Sequence, residues 1–179
     1  GIDPSGKTTL VGVYQVEKGS YEMSVSVLKR KFEIQKGSTI TWTGEPTTAN
    51  LDITAVYKTE AAPIDLVEQQ VDQNELNLYK QRIPFSTLLI LKGELMIPQI
   101  SFDITTEEKN NAVSSDVTSS VDAKLTQLRE DENEMNKQVF ALLLLNRFIG
   151  ENPFQSNSGL SAETMARQSV SKILSQQIN

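Results

Sequence analysis

Apolar side chains recur at about every second position from Leu10 to Ile104, then at every third or fourth position from Val121 onward. A period of two puts alternate side chains on opposite faces of a strand. A period near 3.6 gathers them into one stripe on a helix. The order also matters, because a parallel sheet needs crossover helices between its strands. Strands first and helices last argue for an α+β fold, mainly antiparallel β, in which a meander sheet is followed by C-terminal helices.

The clearest strand pair spans residues 36–57. Ile40 and Trp42 fall on one face, with Thr39, Thr41 and Thr43 on the other. Beyond Gly44 and Pro46, the positions Leu51, Ile53, Ala55 and Tyr57 alternate with Asp52, Thr54 and Lys58. Gly and Pro supply the φ angles of a turn, so a hairpin with one greasy face is expected. Upstream, residues 10–16 read as a first strand and 17–20 as a turn. A second strand then turns Tyr21, Met23, Val25 and Val27 one way, and Phe32 with Ile34 marks a short third. The triplet KGS at 18–20 recurs at 36–38, each time before an alternating run. It reads either as a weak internal repeat, as in a meander or solenoid, or as two common turns that coincide.

Residues 59–82 are polar, with helical spacing at Ile64, Val67, Val71 and Leu78. They predict a loop with a short helix whose first turn holds Pro63. Leu88 to Leu91 are apolar at every position, as in a strand covered on both sides. After Gly93, residues 97–104 pair back with Ile100, Phe102 and Ile104 on one face, and Pro98 suits an edge strand or a strand's start. Residues 105–120 predict a polar linker. Val121, Leu125, Leu128, Met135, Val139, Leu142 and Ile149 then form a helical stripe, on one long helix or two abutting ones. Acids at 130–134 suit a helix start. Gly150 is expected to end this element, and a last helix is expected from Ser161 through Gln177. The expected organisation is therefore a meander over 1–104 with an insertion near 60–82, a linker over 105–120, and a helical segment over 121–179.

Several chemistries are excluded by composition. The chain of 179 residues has neither Cys nor His. That removes disulfides, thiol nucleophiles, imidazole bases and the zinc sites built on those ligands. A formal net charge of -6 argues against nucleic acid, whose phosphates require a basic surface. Segment 1–8, GIDPSGKT, spells the phosphate loop G-x-x-x-x-G-K-S/T. Such a loop needs a buried strand before it and a helix after it. Here a β-branched run follows, and Pro4 lacks one backbone donor. The segment reads as a turn before a strand, and no nucleotide is expected. Asp65, Glu68, Asp72 and Glu75 lack the spacing and glycine of a calcium loop, so they read as a solvated face. Asp131 and Glu134 share a helix face within a run of charges that is ordinarily solvated. No cofactor, metal site or catalytic set is expected. The apolar run 139–145 is far shorter than the ~20 residues a bilayer span requires.

Four segments resemble one family. Residues 33–46 (EIQKGSTITWTGEP), 51–57 (LDITAVY) and 91–104 (LKGELMIPQISFDI) are similar to the C-terminal domain of TamB proteins. Residues 131–149 (DENEMNKQVFALLLLNRFI) match its tail and are the most specific piece. Residues 61–78 are the least distinctive. The resemblance implies a periplasmic, AsmA-like bridge of the Gram-negative envelope, anchored in the inner membrane, whose sheet curves into a half-pipe of the β-taco type. It implies a C-terminal end at the outer membrane that meets an Omp85-class barrel (TamA-like), with roles in outer-membrane protein assembly and phospholipid transport. The start at Gly1 reads as an internal or C-terminal fragment. On this reading Tyr21, Met23, Val25, Val27, Phe32, Ile34, Ile40, Trp42, Leu51, Ile53, Leu89 and Leu91 are candidates to line a groove for acyl chains. The alternative is that they form an ordinary core under the helices. Leu142, Leu145, Arg147, Phe148 and Ile149 are candidates for a partner interface in a docking module that adds a strand edge to the barrel.

Overall fold

The computed structural model describes residues 6–25, 27–107 and 113–150. The helix expected at 161–177 and the first five residues of the phosphate-loop spelling lie outside them. Directly after Gly6 the chain enters strand β1 (Leu10–Gln15) rather than a helix. Strands β2 (Ser20–Val25), β3 (Leu28–Ile34), β4 (Thr39–Gly44), β5 (Asn50–Ala61), β6 (Ile83–Glu94) and β7 (Gln99–Thr106) complete one open antiparallel sheet. Helices α1 (Ile64–Val67), α2 (Ser115–Leu128) and α3 (Glu132–Leu145) follow the pattern expected of an α+β chain.

Strand β5 is the spine. All of its positions pair with β6, from Asn50 opposite Glu94 to Ala61 opposite Ile83. Its other edge is shared, with Thr39 to Thr41 of β4 opposite Asn50 to Asp52, and Glu33 and Ile34 of β3 opposite Val56 and Ala55. Between these pairings four residues, 35–38, stand opposite only two, Ile53 and Thr54. So β3 and β4 are one long strand bent by a bulge. The bulge keeps its polar groups paired. Gln35 N–H donates to Thr54 O at 2.7 Å, and Thr54 N–H donates to Ser38 Oγ at 3.1 Å. Gly37 adopts φ +94, which favours glycine over any L side chain.

β1 and β2 are joined the same way. Val16 N–H donates to Ser38 O at 2.8 Å, Gly37 N–H to Val16 O at 3.3 Å, and Ile34 N–H to Gly19 O at 2.9 Å. The two KGS triplets thus sit at facing bends in adjacent strands. At 17–20 the chain does not reverse as expected but kinks and runs on, so β1 and β2 keep one direction.

Antiparallel partners point the same way, so the register defines the faces. Tyr21, Met23 and Val25 share one face with Phe32, Ile34, Ile40, Trp42, Leu51, Ile53, Ala55 and Tyr57. Ile83, Phe85, Leu89, Leu91, Phe102 and Ile104 continue it. The opposite face carries Lys29, Lys31, Glu33, Asp52, Lys58 and Lys92, all exposed. Leu89 and Leu91 are buried, whereas Leu88 and Ile90 on the wet face are only half-buried. β6 is therefore covered on one side, not two.

The stripe after residue 113 forms two helices. Ser114 caps α2, accepting from Val117 N–H at 3.3 Å, so this helix begins inside the expected linker. Asp131 caps α3, accepting from Asn133 and Glu134 N–H, and places Glu132 and Glu134 in the first turn, where the dipole favours them. α3 stops at Asn146 in the left-handed conformation, φ 53, four residues before the expected Gly150. Asparagine tolerates that region because its short polar side chain bonds locally.

Both helices lie on the apolar face. Val121, Leu125, Val139, Leu142 and Leu143 are fully buried against Met23, Phe32, Phe85, Leu89 and Ile104 in one cluster. Phe148 meets Phe85 edge-on at 4.8 Å, and Phe140 meets Phe102 at 5.4 Å. Each such ring contributes about 1.5–3 kcal/mol by burial. Polar ties fix the helix in place. Arg30 Nε donates to Leu143 O at 2.8 Å, adding a cation beside the negative end of α3. Asn146 Oδ1 accepts from Thr59 Oγ at 3.1 Å and from Tyr57 OH at 3.4 Å. The buried Gln138 clamps Ile149, giving a bond to its carbonyl at 2.7 Å and taking one from its N–H at 3.0 Å.

Candidate functional site

The apolar face is divided. Its β2, β3, β6 and β7 portions lie in the helix-covered cluster, and its β1 and β4 portions lie outside it. Leu10 and Tyr14 of β1 stand opposite Gly44 and Ile40, and Gly12 stands opposite Trp42. Leu10 is 41% exposed and Tyr14 58%. Ile40 and Trp42 are half-buried, and Leu51 is buried at their base. With no side chain on Gly12, the indole of Trp42 has an uncrowded flank. Its Nε1–H donates to Pro46 O at 3.2 Å, which anchors the ring through its polar edge. The result is an open apolar strip of Leu10, Tyr14, Ile40, Trp42, Leu51 and Ile53.

The groove candidates distribute across this division. Met23, Val25, Phe32, Leu89 and Leu91 are buried in the cluster. Tyr21, Ile34 and Ile53 are partly buried and pack against its margin. Ile40, Trp42 and Leu51 line the open strip. Val27 stands at the β2–β3 link, 94% exposed and off the sheet face. Leu10 and Tyr14 join the strip only through pairing with β4, because residues 10–16 carry apolar side chains on both faces and show no alternation that would mark them. The pattern names a face but not which stretch of it is left uncovered.

The interface candidates divide too. Leu142 is fully buried, and so is Phe148 against Phe85. Leu145 is 54% exposed and Arg147 is exposed, so these two project from the end of α3. Ile149 is half-buried, its backbone held by Gln138.

Among the described residues, no three acids converge on a cation-sized site. A polar dent of about 260 Å³ lies between α1 and α2, lined by Asp65, Glu68, Gln70, Lys124 and Gln127. It is narrowed by Gln70 donating to Gln127 at 2.6 Å. No helix among the described residues is long and apolar enough to cross a membrane.

These features define a class first: an open antiparallel β scaffold, greasy on one face, partly roofed by helices. The family model described as the TamB C-terminal domain matches residues 1–179, and the chain belongs to that family. No curated protein and no solved structure matches it. The family is a transport and assembly module rather than a known enzyme family. Membership gives this chain a TamB-like role in outer-membrane protein assembly and transport, in association with the periplasm and outer membrane.

Proposed function

We propose that the open strip holds the acyl chains of phospholipids at the outer-membrane end of a bridge anchored in the inner membrane. The observation that carries this reading is the strip itself. Ile40 and Trp42 lie on the same face as the core yet outside the helix-covered cluster. Burying one CH₂ there is worth about 0.8 kcal/mol, and apolar contact has no direction, so a chain is retained yet slides. Of the groove candidates, those on or beside the strip make the lipid contact. Met23, Phe32 and Leu89 support the sheet beneath the helices. The test is mass spectrometry of lipid carried through native extraction, in the unaltered protein and in Ile40→Glu. Phospholipid retained by the first and lost from the second is expected. An unaltered protein free of lipid would end the proposal, as would lipid transport unaffected by Ile40→Glu.

A second reading is docking to an Omp85-class barrel, TamA-like. Strand β1 favours it, because all six of its residues are exposed and none is charged or proline. Sheet edges are ordinarily protected by charge or proline. An unprotected edge suits an added strand, with Leu145 and Arg147 as the helix contact. Barrel copurification that survives Leu145→Asp and a charge placed at Val13 would refute this reading.

A further inference from the structure

The exposed large apolar residues gather at one end of the sheet. The β6–β7 turn carries Leu95, Met96 and Ile97, exposed by 39%, 48% and 72%, followed by Pro98. Val11, exposed by 84%, stands with Leu10 opposite Thr43 and Gly44, where β4 ends. The chain then turns through Pro46–Thr48 to Ala49, whose carbonyl accepts from Leu95 N–H at 2.9 Å. Turn, β4 terminus and β1 start therefore form one apolar end.

This end is built, not frayed. Ile97 N–H donates to Glu94 O at 3.1 Å, and Gly93 takes φ +86 to make the bend. The amides of Leu95 and Ile97 are both bonded while three consecutive apolar side chains stay exposed. Large apolar side chains left exposed at one end of a sheet, here interleaved with the polar Glu45, Thr47 and Thr48, mark an interaction site.

We infer that this end of the sheet seats in the interfacial layer of a phospholipid bilayer. Met96 and Ile97 enter the acyl boundary, and Trp42 and Tyr14 lie at headgroup level. A protruding turn suits a deformable apolar medium, whereas a folded partner would need a matching pocket. Trp and Tyr one step behind the tip fit the polar–apolar boundary, where amphipathic rings concentrate. The charged residues nearest this end along the chain are Lys7, Glu45, Lys92 and Glu94, two of each sign, which do not form a basic cluster. With a net charge of -6, the surface fits zwitterionic rather than anionic headgroups. The same end opens onto Ile40 and Leu51, so an acyl chain leaving the bilayer would meet the strip without crossing water. This last point rests on the lipid-holding reading above; the bilayer contact itself does not.

The sequence holds a single tryptophan, so Trp42 emission reports on this end alone. The full chain is mixed with vesicles of phosphatidylcholine and phosphatidylethanolamine and floated on a density gradient. Co-flotation is expected, with a blue shift of Trp42 emission and quenching by lipids brominated near the headgroup. The double variant Met96→Asp, Ile97→Asp should keep its melting temperature, since both side chains are exposed, and lose about tenfold or more in vesicle partitioning. Added phosphatidylglycerol should not strengthen binding. Undiminished flotation of the double variant would overturn the inference, as would an unquenched Trp42. A concentration-dependent dimer lost in the variant, without any vesicle binding, would assign this end to self-association instead. Failure here leaves lipid retained through native extraction untouched, so the two proposals fail separately.

Discussion

The covered and open parts of the apolar face are made of the same alternating strands and differ in what lies above them. Over β6 and β7, α3 brings Phe140 onto Phe102 and packs Leu142 and Leu143 into the same cluster, and the segment after it sets Phe148 against Phe85. Over β4 and β1, Ile40, Trp42 and Tyr14 remain outside that cluster. The difference teaches that packing and exposure are spatially divided on one face. The roofed part supplies enough burial to hold the fold, which lets the neighbouring part stay greasy without being packed.

The division can be broken first at its strongest point. Phe148→Ala removes a fully buried ring set edge-on to Phe85, and should cost about 3–5 kcal/mol in urea unfolding. A loss near zero would mean that the roof contributes little and the contrast is false. The bends give a finer test. Gly37→Ala forces an L side chain to φ +94 and should cost about 1–2 kcal/mol. Gly19→Ala, at the facing bend, comes nearest the flexible Cδ1 of Ile34 at 3.4 Å, with Val16 Cγ1 in ordinary contact at 3.7 Å, and should cost clearly less in the same assay. Equal costs would show that the two triplets are equivalent. The smallest stability effect is expected in the open strip. Ile40→Ser, at a half-buried site outside the roof, should cost less than about 1 kcal/mol in urea while lowering retained lipid. A core-sized penalty there would place Ile40 under cover after all.

Much of the architecture was legible. Thr39 to Thr43 against Ile40 and Trp42 gave the face of β4. Asp131 with its following acids gave the start of α3. Three features were not legible, each for a physical reason. The KGS triplets read as turns, because glycine beside serine permits a reversal or a bulge equally. Only pairing with Val16, Ile34 and Thr54 selects the bulge. The end of α3 falls at Asn146 rather than Gly150. There Asn146 gains Tyr57 and Thr59 as partners from distant strands, which outweighs glycine's conformational ease. Leu88 and Ile90 read as covered, because consecutive apolar residues do not reveal whether a second layer exists. The candidate site was half legible. Ile40, Trp42, Leu51 and Ile53 were found from alternation, but so were Met23, Phe32 and Leu89, which the helices roof over.

By itself the sequence determined the antiparallel sheet, its single greasy face and the helices that follow. Side-chain period is a local property, fixed by which way each residue points. Tertiary structure alone decided how far the roof extends, which edge of the sheet stays bare and where the exposed apolar turn ends up. Those outcomes depend on where α2 and α3 come to rest over strands far away in the chain, and no local period encodes that distance.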